Sequence, residues 1–385
     1  MSFIATTKYA ASSPQDALEH ATNGLFQRLQ DAGWTIHNTV VSTPGAKDII
    51  FKSTGEAGTE SFFVRITQTS STTILFRIAS YYAASGTPGA NDGNEVGVAN
   101  YTHTQFASAG AANVWIYGDK DCIAVTFEQG AVYSTFLFGT PQRIEQTANS
   151  GRTTLTAGVT INGAGNTALA VASSANMTAA QKLFVVNQHV TSKGTIVRCT
   201  LVSVDNPTQV TVSNDSGTNT VFEAGALVGM DPLPAFVGIC SYSGGTYQGF
   251  PSWGFAHLYH PATTRMTGTA QTTPAIRTAL SAPASLDFYV NAVAKECATL
   301  LDPDANLNRP IMSCLLLGHF NATTSQIAGA DQLRGRVRRI GRFPFVAGAV
   351  AAEDTFTEGA VTWRIFPDVS PTNIYYGMFA IRTSA

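Results

Sequence analysis

The sequence predicts an α+β protein, mostly antiparallel β, in which a helix packs on a sheet and a small β-barrel or sandwich is inserted. Three observations carry this. One amphipathic helical stretch stands near the amino terminus, short alternating apolar runs bounded by turn residues fill most of the rest, and the composition shifts midway. The richest run is NVWIYGDKDCIAVTFEQGAVYSTFLFGTP, residues 113–141.

In chain order, Ser13-Pro14-Gln15-Asp16 reads as a helix start. Ser13 caps, Pro14 suits the first helical position, and Asp16 complements the positive helix end. Ala17, Leu18, Ala21, Leu25 and Leu29 recur at three- and four-residue steps, which predicts a single helix with one buried stripe. Gly33 ends it as a left-handed cap, and Trp34 seats the exit of the chain on the core. Strands follow at 48–52, 61–67 and 73–81, joined by loops of hairpin length. Residues 82–112 show no periodicity, and a loop of that length is functional or ordered by a partner.

The run at 113–141 divides into strands 113–117, 121–127 and 131–138, with Gly118-Asp119-Lys120 and Glu128-Gln129-Gly130 as turns. Ile123, Val125 and Phe127 alternate with Cys122, Ala124 and Thr126. The third strand sets Tyr133, Thr135 and Leu137 opposite Val132, Ser134, Phe136 and Phe138. Apolar on both faces, it belongs inside a sheet covered on both sides.

Between 147 and 234 charge thins out, and strands are expected at 159–162, 169–172, 182–187, 195–204 and 209–213. Asp205-Asn206-Pro207 turns the last two into a hairpin, and short strands with Gly, Asn and Pro turns suggest a small antiparallel barrel or sandwich. The division is therefore 1–146, helix plus antiparallel sheet; 147–234, the insertion; and 235–385, a β-rich part that completes or packs on the first domain. That last part holds an aromatic stretch at 250–260, an expected helix at 286–301, strands at 311–320 and 332–340, and a hairpin of 361–366 with 374–381.

Of the 385 residues 12% are charged, about half the usual share of roughly 25%. A surface so poor in charge resists docking weakly, since like-charge repulsion and desolvation costs are both small. The net charge of -2 exerts no general pull on nucleic acid or membrane. The start lacks the pattern of a signal peptide, and no apolar run is long enough for a membrane span, so no membrane partner is expected. Cys122, Cys199, Cys240, Cys297 and Cys314 are scattered through apolar runs, as buried free thiols of a reducing cytoplasm would be.

Candidate chemistry is sparse. Gly163–Ala168 matches a dinucleotide-binding spacing, but a strand rather than a helix is expected after it. Asp302-Pro303-Asp304-Ala305-Asn306 begins like a calcium loop and lacks the later Gly and Glu. His257 and His260 lack a third ligand and sit in an aromatic, Gly-broken loop better suited to an interface. No catalytic residue, cofactor or metal is assigned, and the chain reads as a non-enzyme. Arg334, Arg336 and Arg338 alternate, so on a strand they line one face, fit for phosphates or an acidic neighbour.

ALEHATNGLFQRLQDAGW before a run of hairpins, the meander VWIYGDKDCIAVTFEQGAVYSTFLFGTPQRI, the module VSVDNPTQVTVS with GALVGMDPLP, and the closing EDTFTEGAVTWRIFPDVSPTNIYYGMFAIR together resemble virion structural proteins of tailed bacteriophages. The helix-then-sheet opening is similar to tail-terminator and neck folds. The resemblance implies a non-enzymatic subunit of the virion, assembled in the host cytoplasm. It would form a homo-oligomeric ring at the head–tail junction (neck or collar) or in the tail, with other virion proteins as partners and passive contact with packaged DNA. The alternative is a baseplate or surface-binding adhesin recognising carbohydrate, with Trp253, Phe255 and Tyr259 as a stacking platform.

Overall fold

Ser13 caps the first helix as its sequence requires: its Oγ accepts from the Asp16 backbone N–H at 3.1 Å, with Pro14 in the first turn. The helix does not run on, however. Instead of one helix there are two, α1 (Pro14–Glu19) and α2 (Leu25–Asp31). His20 leaves the helical region (φ -53°, ψ 129°), and its Nδ1 accepts from the Asn23 backbone N–H at 3.2 Å. This local bond competes with helix continuation. Gly24 completes the turn, since a Cβ there would lie 2.5 Å from the His20 nitrogen. Ala17, Leu18, Leu25, Phe26 and Leu29 are buried, while Ala21, expected in the same stripe, is exposed at the break. Gly33 caps α2 at φ +90°, and Trp34 behind it is buried.

The computed structural model describes residues 3–43, 45–55, 62–79, 82, 84–87, 103–105, 109–130, 132–140, 142–143, 153–187, 196–229, 236–243, 246–248, 254–257, 286–291, 312–320, 332–343, 351–367 and 378–384. Mostly antiparallel strands, with few helices, make an α+β fold of the predicted class.

The central sheet orders Ile4–Ala5, Ala112–Gly118, Cys122–Gln129, Val132–Gly139, Phe236–Ser243 and Thr246–Gln248. Tyr9–Ala11 also pairs with Ala112–Gly118, and Gly254–His257 with Phe236–Ser243. Val132–Gly139 is thus internal, flanked on both sides, as its two apolar faces predict. Its continuation partner, Phe236–Ser243, lies beyond the whole 153–229 stretch in sequence.

On one face of this sheet Val114, Ile116, Ile123, Val125, Phe127, Phe136 and Phe138 join the helices and a five-stranded sheet in one core. That flanking sheet runs Thr35–Thr43, Ala46–Ser53, Phe62–Ser70, Thr73–Ala79, His103–Gln105. Phe76 stacks on Phe136 at 4.2 Å, and Trp34 meets Phe138 edge-on at 5.5 Å. Across the other face lies a seven-stranded carboxy-terminal sheet: Leu286–Asn291, Met312–Phe320, Gln332–Phe343, Met378–Arg382, Val361–Pro367, Thr355–Glu358, with Gln142–Arg143 added to Gln332–Phe343. Trp115 meets Phe366 of this sheet at 5.3 Å.

The helix expected at 286–301 is a strand over its described part, Leu286–Asn291, paired along its length with Met312–Phe320. Phe288, Tyr289 and Val290 favour the pleat, and a partner strand decides what a six-residue segment alone does not.

Residues 153–229 form a second core. Six strands order Thr153–Thr154, Leu227–Gly229, Lys182–Val186, Ile196–Asn206, Gln209–Asn214, Asn166–Ala170. A bridge between Leu155 and Val171 then joins the last strand back to the first, with Thr156 N donating to Ala170 O and Ala172 N to Thr154 O, each at 2.9 Å. The sheet curls round on itself about Leu169, Leu183, Val185, Leu201, Val210 and Val212. Phe184 and Leu227 point outward from that core and belong to the main one, so the two cores meet along them.

Candidate functional site

The tight turn Gly118–Cys122 between the first two meander strands collects contacts from distant parts of the chain. Gly118 stands at φ +154°, where a Cβ would meet the Cys122 carbonyl at 2.2 Å, so the close approach of the strands needs glycine. Inside the turn, Asp119 Oδ1 accepts from the backbone N–H of Asp121 at 2.9 Å and of Cys122 at 3.1 Å. The Asp119 carbonyl accepts from Trp34 Nε1 at 3.0 Å, and the Lys120 carbonyl from Ser53 Oγ at 2.7 Å. The Asp121 carbonyl accepts from Thr140 N at 2.7 Å.

Both carboxylates are buried, and each has a cation from the carboxy-terminal sheet. Arg338 Nη2 lies 3.3 Å from Asp121 Oδ2, and Arg339 Nη2 contacts Asp119 Oδ2. Consecutive residues on a regular strand point to opposite faces, so two neighbouring arginines should not reach one turn. A bulge makes it happen. Leu315 pairs with Arg336 but Ser313 with Gly341, so Gln332–Phe343 carries extra residues there, and Arg339 takes φ +62°. The Arg339 guanidinium also lies 4.4 Å from the Phe3 ring centre.

This corrects the alternating arginine face. The two-residue period breaks at the bulge that holds Arg338, and the acidic neighbour of Arg338 is Asp121 of its own chain. Arg334 and Arg336 lie on the same strand before the break; their side chains fall outside the described residues. Phe255 and His257 sit on the strand Gly254–His257, while Trp253, Tyr259, His260 and residues 302–306 lie outside the described residues. The Gly163–Ala168 pattern runs into the strand Asn166–Ala170, so it opens no helix to receive a phosphate. Sequence reasoning missed Asp119 and Asp121. Their signal was two acids in one tight turn of an otherwise charge-poor chain.

The chemistry available at this turn is structural. Cys122 is fully buried, and that burial pushes its thiol up, away from the thiolate a nucleophile needs. Among the described residues no group of three or more His, Cys, Asp and Glu side chains is placed to hold a metal. Among them, too, no helix is long and apolar enough to cross a membrane.

Beside the turn, the face toward the carboxy-terminal sheet carries Trp115, Tyr117, Thr126, Tyr133 and Thr135, all buried. The Thr126 and Thr135 hydroxyls satisfy each other at 2.9 Å. Burial first, then the charge of Glu353, lift Tyr117 and Tyr133 to about 12 each; at Tyr117 the charge of Arg364 opposes the rise. A tyrosine that keeps its proton in the fold but loses it at about 10 when unfolded favours the fold fully below pH ~10. That contribution fades as pH rises toward about 12. In an ultraviolet titration, Tyr117→Phe and Tyr133→Phe should each remove one tyrosinate from the part above pH ~11 and leave the step near pH ~10 unchanged.

Compared with models of known protein families and with curated protein sequences, the chain matches none.

Proposed function

We propose that this chain is a non-enzymatic structural subunit of a bacteriophage virion, built into a homo-oligomeric ring at the head–tail junction or in the tail. The observation that carries the reading is where the charge goes. A chain with only 12% charged residues spends Asp119, Asp121, Arg338 and Arg339 on internal pairs, and Asp48 with Arg65 at 2.6 Å on another. Those pairs tie up six of the 48 charged residues, and a chain this poor in charge is desolvated cheaply when subunits meet. A closed ring needs head-to-tail contacts between two different faces of each subunit, which a multi-sheet body with an additional barrel can present. The sequence resemblance to virion proteins points the same way.

Sedimentation of the purified protein over a range of concentrations, with and without purified phage tails and capsids, tests the proposal. Association with itself or with the particles is the expected result. A strict monomer that binds neither counts against it, and saturable binding to a glycan array would favour the adhesin.

The arginines separate assembly from folding. Arg338→Gln removes an ion pair of which both members are largely buried, so it should cost about 1.5–3 kcal/mol of stability and lower particle yield at every salt concentration. Arg334→Gln with Arg336→Gln keeps length and polarity while removing charge, so the fold should survive. If those two meet DNA or an acidic neighbouring subunit, the double variant lowers DNA content or yield most at low salt. Unchanged particles at all salt concentrations would leave these two arginines as a solvated face.

A further inference from the structure

We infer that the seam between the central and carboxy-terminal sheets is a built water-binding site, framed by Trp115, Tyr117 and Arg364. The inference does not depend on the proposed function. Trp115 is fully buried and Tyr117 is 2% exposed. Trp115 Nε1, Tyr117 Oη and Arg364 Nε are buried polar atoms that make no hydrogen bond among the described residues.

The three belong to one layer. Trp115 and Tyr117 lie two apart on Ala112–Gly118 and share a face; Arg364 and Phe366 do the same on Val361–Pro367. Phe366 packs on Trp115 at 5.3 Å, and the charge of Arg364 reaches Tyr117. Glu353 closes the layer. Its charge acts on both Tyr117 and Tyr133, its Oε1 binds Lys8 Nζ at 2.8 Å, and that Nζ lies 5.1 Å from the Trp115 ring centre.

Each buried donor left without an acceptor bears its full desolvation penalty, and native interiors rarely keep even a few such groups. Two of these residues neighbour each other on one strand face and the third stands on the strand packed against it, so the layer calls for a ligand that accepts. An anion is disfavoured, because the carboxylate of Glu353 sits in the same layer. A larger solute is disfavoured by the closure of Trp115 and Tyr117 from solvent. Water meets both limits: its two lone pairs accept from the indole and guanidinium groups, and one of its hydrogens donates to the phenol oxygen, making about three bonds as buried waters do.

Two measurements test this with Tyr117→Phe, which removes only the hydroxyl. Oxygen-17 relaxation dispersion counts long-lived internal waters, and calorimetry gives Tm. The expected result is at least one long-lived water fewer and a Tm lower by about 2 °C. An unchanged water count, or a Tm that stays or rises because an unpaired hydroxyl has been removed, overturns the site. High-resolution diffraction from the unaltered protein should place a water oxygen within about 3.2 Å of both Trp115 Nε1 and Tyr117 Oη, and empty density there overturns it equally.

Discussion

Asp119→Ala should cost the fold about 3–5 kcal/mol, the range found when one member of a buried ion pair is removed. The side chains of Asp119 and Arg339 are 9% and 11% exposed, so solvent screens the pair little and cannot replace the lost carboxylate. The same substitution takes away the acceptor of the Asp121 and Cys122 backbone N–H groups, which the turn needs to hold its shape. Asp119→Asn keeps one acceptor oxygen and loses the charge, so it should fall between wild type and Ala. Adding Arg339→Met to Asp119→Ala should recover part of the loss, because the charge left behind is removed. Urea denaturation of the four proteins reads all of this. If Asp119→Ala unfolds within about 1 kcal/mol of wild type, the turn does not clasp the two sheets together.

How much of this was legible in the sequence depends on whether the relevant partner is near or far. The meander could be read directly, because Ile123, Val125 and Phe127 alternate and Phe136 and Phe138 lie on a strand with two apolar faces. The hairpin over 361–381 was equally plain, and its strands Val361–Pro367 and Met378–Arg382 pair. The strand Thr35–Thr43 was not seen. It is a mostly exposed edge with two register irregularities, so neither apolar alternation nor a strict period of two survives in it. The break between α1 and α2 hides for the opposite reason. The apolar spacing across it fits a helix, and only the His20 ring bond and the tight fit of Gly24 interrupt it.

The clasp at Asp119 and Asp121 was least legible. Asp119 and Arg339 stand 220 residues apart, and a pattern of local spacing carries nothing over that distance. The alternation of Arg334, Arg336 and Arg338 even misled, since it takes a regular strand for granted. The bulge that turns Arg338 and Arg339 toward one turn is a property of the paired sheet.

Gly139→Ala should be among the most damaging small substitutions in the chain, costing at least about 2 kcal/mol and up to about 6. Two penalties add there. At φ +144° the backbone is in a region that a side chain strains by about 1–3 kcal/mol. A Cβ would also lie 2.1 Å from the Asp121 carbonyl oxygen and 2.6 Å from the Cys122 Cα, an overpacking worth about 1–3 kcal/mol. Neither neighbour is the end of a flexible side chain. Both are main chain, and the Asp121 carbonyl is held by Thr140 N at 2.7 Å, so relief means spreading the meander at the turn that carries the clasp. Gly130→Ala supplies the comparison. Gly130 also has positive φ, +59°, but nothing stands within 4 Å of its Cβ position, so only the left-handed penalty of about 1–2 kcal/mol applies. Denaturant midpoints of the two variants, taken at equal m-value, separate contact from conformation. A Gly139→Ala protein no less stable than Gly130→Ala would mean that the second and third meander strands do not approach as closely as the packing at Asp121 requires.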